Sequence, residues 1–317
     1  TGGSAFTDSS TIASGSWSMR GLKSAGASSG LGITGVTELG ALNLDGVTYV
    51  NRIDVGAQDS DPRGIRLSND GTKMFVAGFS NNEIFEYNLS TAFEVNTASY
   101  NNISYVLGGT ITSLDVVFNN DGTKMYVPSH SPSPSRVYEY NLSTAFDLST
   151  VSATSNTLSL SSQTGTGAVH GICFNDDGTK FYVSASSSYV YQYALTTAFD
   201  LSTGSYVQSY NANAQVADIT GVNFNKDGTS MYVLDNSSDD LYQYTLTTPY
   251  DVSTAYYAGK TLGAQMPETE NEGFCFANDF TRMYMAGSYQ NRIYGYTTSF
   301  SETLIQPTSQ YHIATTN

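Results

Sequence analysis

The chain has 317 residues, of which 28 are acidic and 13 basic, giving a formal net charge of −15. That balance excludes nucleic acid and anionic membrane surfaces as natural partners, because both require clustered positive charge. The first 30 residues are rich in Gly, Ser, Ala and Thr and lack a long apolar run, which argues against a retained signal peptide or a membrane-inserted segment.

After this arm, placed at 1–45, the chain enters a block of about fifty residues that recurs five times. Each copy carries one turn: Asn69-Asp70-Gly71-Thr72-Lys73, then Asn120-Asp121-Gly122-Thr123-Lys124, Asp176-Asp177-Gly178-Thr179-Lys180, Lys226-Asp227-Gly228-Thr229-Ser230 and Asn278-Asp279-Phe280-Thr281-Arg282. The turn aspartates stand 51, 56, 50 and 52 residues apart, a period typical of propeller blades. In the first copy, strands are predicted at Gly64–Leu67, Lys73–Val76, Ile84–Tyr87 and Ile103–Leu107. These runs are β-branched or aromatic, alternate with period two and are separated by turn formers. Asp-Gly between two such runs is a strong hairpin signal. Phe280 replaces the glycine in the fifth copy, which predicts another turn type or strain there.

The repeat columns predict the core. Leu67, Phe118, Phe174, Phe224 and Phe276 share one position of the first strand, and Phe85, Tyr138, Tyr191, Tyr242 and Tyr294 share one of the third. Sheets apolar on both faces must stack, and radial stacking also hides their edges. The fifth copy ends after its third strand near Tyr296, while Val47–Val55 precedes the first copy without a blade of its own. The expected fold is therefore an all-β, five-bladed β-propeller over 46–300, closed by an N-terminal strand, with extended N- and C-terminal arms at 1–45 and 301–317. A six-bladed ring, with residues 1–45 forming a degenerate blade, is the alternative count. Cys173 and Cys275 share a column of non-adjacent blades and read as small buried residues.

A second repeated segment reads Thr91-Ala92-Phe93-Glu94, Thr144-Ala145-Phe146-Asp147, Thr197-Ala198-Phe199-Asp200 and Thr248-Pro249-Tyr250-Asp251. Its aromatic is expected to plug the outer end of a blade and its carboxylate to bond local amides as in an Asx turn; repeated glycan pockets are the other reading. Asn88, Asn102, Asn141 and Asn236 head Asn-x-Ser/Thr sequons.

Where the columns break, just before each first strand, lie Asp61 and Arg63, His170, Asp218, and Glu270 and Glu272, with Asp115 in the column otherwise held by Gly64, Gly171, Gly221 and Gly273. These residues form the expected binding set at a channel mouth, where propeller loops converge. The competing reading is a rim of solvated charges. A carboxylate pair among Asp61, Asp115, Asp218 and Glu272 could serve glycoside hydrolysis only at a suitable separation, and no catalytic residue is assigned. His130, His170 and His312 lack zinc-ligand spacing, so no metal site is assigned; Ca2+ at Asp61, Glu270 and Glu272 is the one cofactor considered.

The run Asp121-Gly122-Thr123-Lys124-Met125-Tyr126-Val127, with Val137 to Thr150 after it, resembles propeller repeats of marine bacteriophage virion or tail-fibre proteins and of bacterial surface proteins, and more distantly lactonase-like propellers. The arm segment Gly15–Arg20 resembles short Trp-containing segments of phage structural proteins. The resemblance implies a non-enzymatic structural protein of an extracellular filament or virion surface, joined to copies of itself through its arms. A carbohydrate-binding module for surface glycans and a channel-mouth glycosidase or lactonase-like enzyme are the alternatives.

Overall fold

Short runs of Val, Ile, Phe and Tyr with alternating polar residues fold as hairpins, because the Asp-Gly turn closes each pair of inner strands and the alternation gives each blade two packable faces. In a computed structural model the chain is described over residues 39–302, apart from 110, 130, 132, 165–167, 187 and 264–266. The described chain folds as twenty strands in five four-stranded antiparallel sheets.

The first blade consists of β2 (Pro62–Leu67), β3 (Lys73–Gly78), β4 (Glu83–Leu89) and β5 (Ala98–Val106). The second has β6 (Val117–Phe118), β7 (Lys124–Ser129), β8 (Arg136–Leu142) and β9 (Val151–Ser159). The third has β10 (Val169–Phe174), β11 (Lys180–Ala185), β12 (Tyr189–Leu195) and β13 (Gly204–Asn211). The fourth has β14 (Ile219–Phe224), β15 (Ser230–Asp235), β16 (Asp240–Leu246) and β17 (Ala255–Leu262). The last is ordered β1-β20-β19-β18, combining β18 (Asn271–Phe276), β19 (Arg282–Gly287) and β20 (Arg292–Glu302) with the N-terminal β1 (Leu39–Asp54). The fold is thus a five-bladed propeller closed by an N-terminal strand. That strand starts at Leu39, earlier than the expected Val47.

The core lies between blades. Phe75, Ala77 and Ile84 of the first blade pack on Val116, Met125 and Val127 of the second, while Ile65, Val76 and Tyr87 face Cys275, Tyr284 and Ile293 of the last. At the final seam Leu42 and Leu44 of β1 join Tyr232 and Leu234 of the fourth blade, both leucines being fully buried.

The repeated aromatic loop is a latch. Each ring adopts positive φ (66° at Phe93, 55° at Phe146, 57° at Phe199, 59° at Tyr250) and lies against the glycine of its own blade's Asp-Gly turn. It therefore sits beneath the inner hairpin, not at the blade's outer end. A Cβ on Gly122 would come within 2.3 Å of the Phe146 ring, so this glycine is required by space as well as by its φ of 73°. As expected, Asp147 accepts from its Asx partner, the Ser149 amide, at 3.0 Å. The loop then reaches the preceding blade. Lys73 Nζ donates to Glu86 at 2.8 Å and to the Phe146 carbonyl at 2.8 Å, and Glu86 accepts the Leu148 amide at 2.9 Å. Lys124, Glu139, Phe199 and Leu201 repeat this arrangement one blade on.

Among the described residues the last blade has no such loop: its third strand runs to Glu302 and its fourth starts at Leu39. Phe280 supplies the missing ring. It keeps the ordinary turn, with its amide donating to the Ala277 carbonyl at 2.9 Å, and holds φ at 58°. Its ring centroid lies 5.1 Å from Phe276, matching the 5.3 Å between Phe118 and Phe146. On the facing blade Ser230 stands in the lysine column, and among the described residues the buried Gln243 Oε1 has no hydrogen-bond partner.

Candidate functional site

The first strands of all five blades meet along the axis, which has three layers. The layer facing the starts of these strands holds most of the expected site. Arg63 donates to both Asp61 oxygens at 2.8 and 3.0 Å and to Glu272 Oε2 at 2.8 Å, with its guanidinium 4.8 Å from the Phe79 ring centroid. Ser288 Oγ lies 3.2 Å from Glu270 and 3.2 Å from Glu272. Burial pushes the Glu272 carboxyl up to about 7, against the lowering effect of Arg63. Asp218 belongs to the same layer: burial and the neighbouring Asp235 raise its pKa, Asn236 and Arg63 oppose them, and among the described residues its buried Oδ1 has no hydrogen-bond partner. His170 is half-buried in β10. Arg63 is itself the cation between Asp61 and Glu272, and among the described residues no group of three or more His, Cys, Asp or Glu is placed to hold a metal ion. His130 and His312 lie outside the described residues.

The structure removes Asp115 from this mouth. It lies one layer deeper, in the waist, where glycine backbones touch: a Cβ on Gly64 would meet Asp115 Cα at 2.6 Å, on Gly171 the Gly221 Cα at 2.8 Å, and on Gly273 the Arg63 carbonyl at 2.4 Å. Asp115 accepts the Val116 amide at 2.8 Å and the Ile172 amide at 3.1 Å, and pairs with Arg66 at 3.3 Å. Burial raises its pKa and Arg66 lowers it.

Arg66 is the residue that sequence reasoning missed. It also donates to the Phe274 carbonyl at 2.9 Å and the Ile172 carbonyl at 3.0 Å, while Asn223 donates to the Phe274 carbonyl at 2.9 Å. One guanidinium thus ties its own blade to the second, third and fifth, and Asn223 adds the fourth. The only signal in the sequence is a lone arginine in a column otherwise occupied by Val117, Cys173, Asn223 and Cys275. Both cysteines are free and buried, and burial pushes the Cys275 thiol up to about 11, so neither is a reactive thiolate.

Beyond the waist, on the face of the Asp-Gly turns, a cavity of about 170 Å³ opens around the axis. Arg66 and Asn223 are among the residues that line it. Around it, Asn278 Nδ2 donates to Asn69 Oδ1 at 2.9 Å, Asn69 to the Asn120 carbonyl at 2.6 Å, and Asn120 to the Asp176 carbonyl at 2.6 Å. The turn column read as structural therefore forms a belt of amides across four blades.

No family model matches the chain, and no curated protein sequence does. Among solved structures it is similar to the β-propeller domain of Cps50 (Swd1) from Myceliophteria thermophila, at 8% identity and a TM-score of 0.43 over 74% of this chain and 83% of that one. It is also similar to a functionally unknown protein from Desulfotomaculum acetoxidans, at 10% identity and a TM-score of 0.47 over 77% and 86% of the two chains. These likenesses concern the propeller fold alone.

Proposed function

We propose that this propeller is a non-enzymatic assembly module, joined to copies of itself through its two ends, of the kind found in extracellular filaments or on virion surfaces. The observation that supports this reading is the length of the closing pair. β20 runs for 11 residues where β4, β8, β12 and β16 each have 7, and β1 runs for 16 where the other outer strands have 8 or 9. β1 and β20 are hydrogen-bonded neighbours, so both ends of the described chain leave the ring from one pair of strands. β1 is the outermost strand of its sheet, and although Leu42 and Leu44 pack into the final seam, so long an edge strand offers backbone groups for strand addition by another copy. The axis supports the non-catalytic part: Arg63 already joins Asp61 to Glu272, and Arg66 joins Asp115 to neighbouring carbonyls, so these carboxylates are committed to structural pairs. The repeat's resemblance to phage and bacterial surface propellers is consistent with the same role.

The test is deletion of residues 1–38, which stops short of β1. Sedimentation should show an oligomer for the intact chain and a folded monomer for the truncated one; a truncated chain that still assembles overturns the proposal.

A further inference from the structure

We infer that the turn-face cavity binds a single neutral sugar residue, a site independent of the assembly role. Four observations lead there. First, at about 170 Å³ the cavity falls below the ~300 Å³ lower bound of drug-sized pockets and suits one ring better than a chain. Second, its polar groups are amides held in place. Asn120 and Asn278 each donate one N–H across a blade boundary, Asn223 donates to the Phe274 carbonyl, and the side-chain oxygens of these three accept nothing from the described residues. An amide anchored through one N–H presents an acceptor and a second donor with little orientation left to lose, the pairing that a vicinal diol needs.

Third, Phe118, Phe174 and Phe276 line the same cavity and give the apolar C–H face of a sugar a surface to pack on. Fourth, charge excludes the other small ligands. Arg66 is engaged by Asp115 and three carbonyls, Asp176 stands among the lining residues, and the chain carries −15, so an anion gains little. The pocket offers a cation one carboxylate, whose pKa burial raises. A neutral polyol is the ligand whose hydrogen bonds match the amides without an uncompensated charge.

The experiment is a titration of the intact, isotope-labelled protein with D-glucose, D-galactose, D-mannose and N-acetyl-D-glucosamine, followed through the side-chain amide resonances. At least one sugar should saturate with a dissociation constant on the order of 1 mM and move the Asn120 and Asn278 signals. Both asparagines are exposed on the rim, so Asn120→Ala and Asn278→Asp should keep the fold, checked by melting temperature, and weaken binding about tenfold or more. D-glucuronate should bind more weakly than D-glucose. The inference is overturned if none of the four sugars saturates, if folded N120A and N278D bind as the parent does, or if calcium chloride moves these resonances and no sugar does.

Discussion

Replacing Arg66 by Met tests whether the waist holds the ring together. The variant keeps the bulk of the side chain but removes the partner of Asp115, which is only 6% exposed, and the donors to the Phe274 and Ile172 carbonyls. Breaking a buried ion pair from one side costs about 3–5 kcal/mol, because the remaining charge stays buried without compensation. At roughly 2 °C per kcal/mol for a domain of this size, the melting temperature should fall by roughly 6–10 °C. The loss should depend on pH. Burial already raises the Asp115 pKa, and removing Arg66 raises it further, so the variant is least impaired in acid, where Asp115 is protonated, and loses stability as pH rises through the folded pKa. The double variant Arg66→Met with Asp115→Ala should recover more than half of the loss, since no orphaned charge remains. Thermal and urea unfolding at pH 5 and pH 8 measure all three effects. R66M within about 0.5 kcal/mol of the parent at both pH values, or no recovery in the double variant, would show that the Arg66–Asp115 pair does not hold the waist.

Other consequences can be checked by the same unfolding measurements. The Glu272 carboxyl is raised by burial from its ordinary 4.5 to about 7, so its contribution is fully present below pH 4.5 and is lost as pH rises through 7. E272Q should remove a pH dependence on the order of 3 kcal/mol, and an unchanged stability difference between pH 4.5 and pH 8 would contradict that assignment. Phe280→Gly relieves a positive φ worth about 1 kcal/mol or more but deletes the ring over Phe276, so net destabilisation by about 1–3 kcal/mol is expected; a more stable variant would show that the ring does not replace the missing latch. Ser230→Lys should destabilise although lysine is native at 73, 124 and 180, because Gln243 stands where the first two blades have Glu86 and Glu139 and no latch carbonyl faces it among the described residues. Neutrality in S230K would mean that the fourth seam is built like the others.

Much of the ring was legible because its determinants are local and repeated. Period-two alternation marked the strands, Asp-Gly marked the inner hairpins, and the unmatched segment before the first copy announced the closing strand. What escaped reading depends on contacts between blades. Phe280 looks like a damaged turn until the absent latch of its own blade is seen to leave a ring-sized gap beneath it. Glu86 and Glu139 look like ordinary strand carboxylates, yet each joins a lysine to the next blade's loop. At the axis, Asp61, Arg63, Glu270 and Glu272 share one layer as the column breaks suggested. Asp115 shares that variability but sits in the glycine column, so the tight packing of the waist draws it inward to Arg66. The asparagines of the Asp-Gly turns carried no hint of a belt around a cavity, because their partners lie a full repeat away.

Assembly through the chain ends is read out by the mass of the intact protein, measured by light scattering over a dilution series. A particle several times the chain mass, persisting on dilution and dissociating when residues 1–38 are removed, is the predicted result. A monodisperse monomer at every concentration would contradict it.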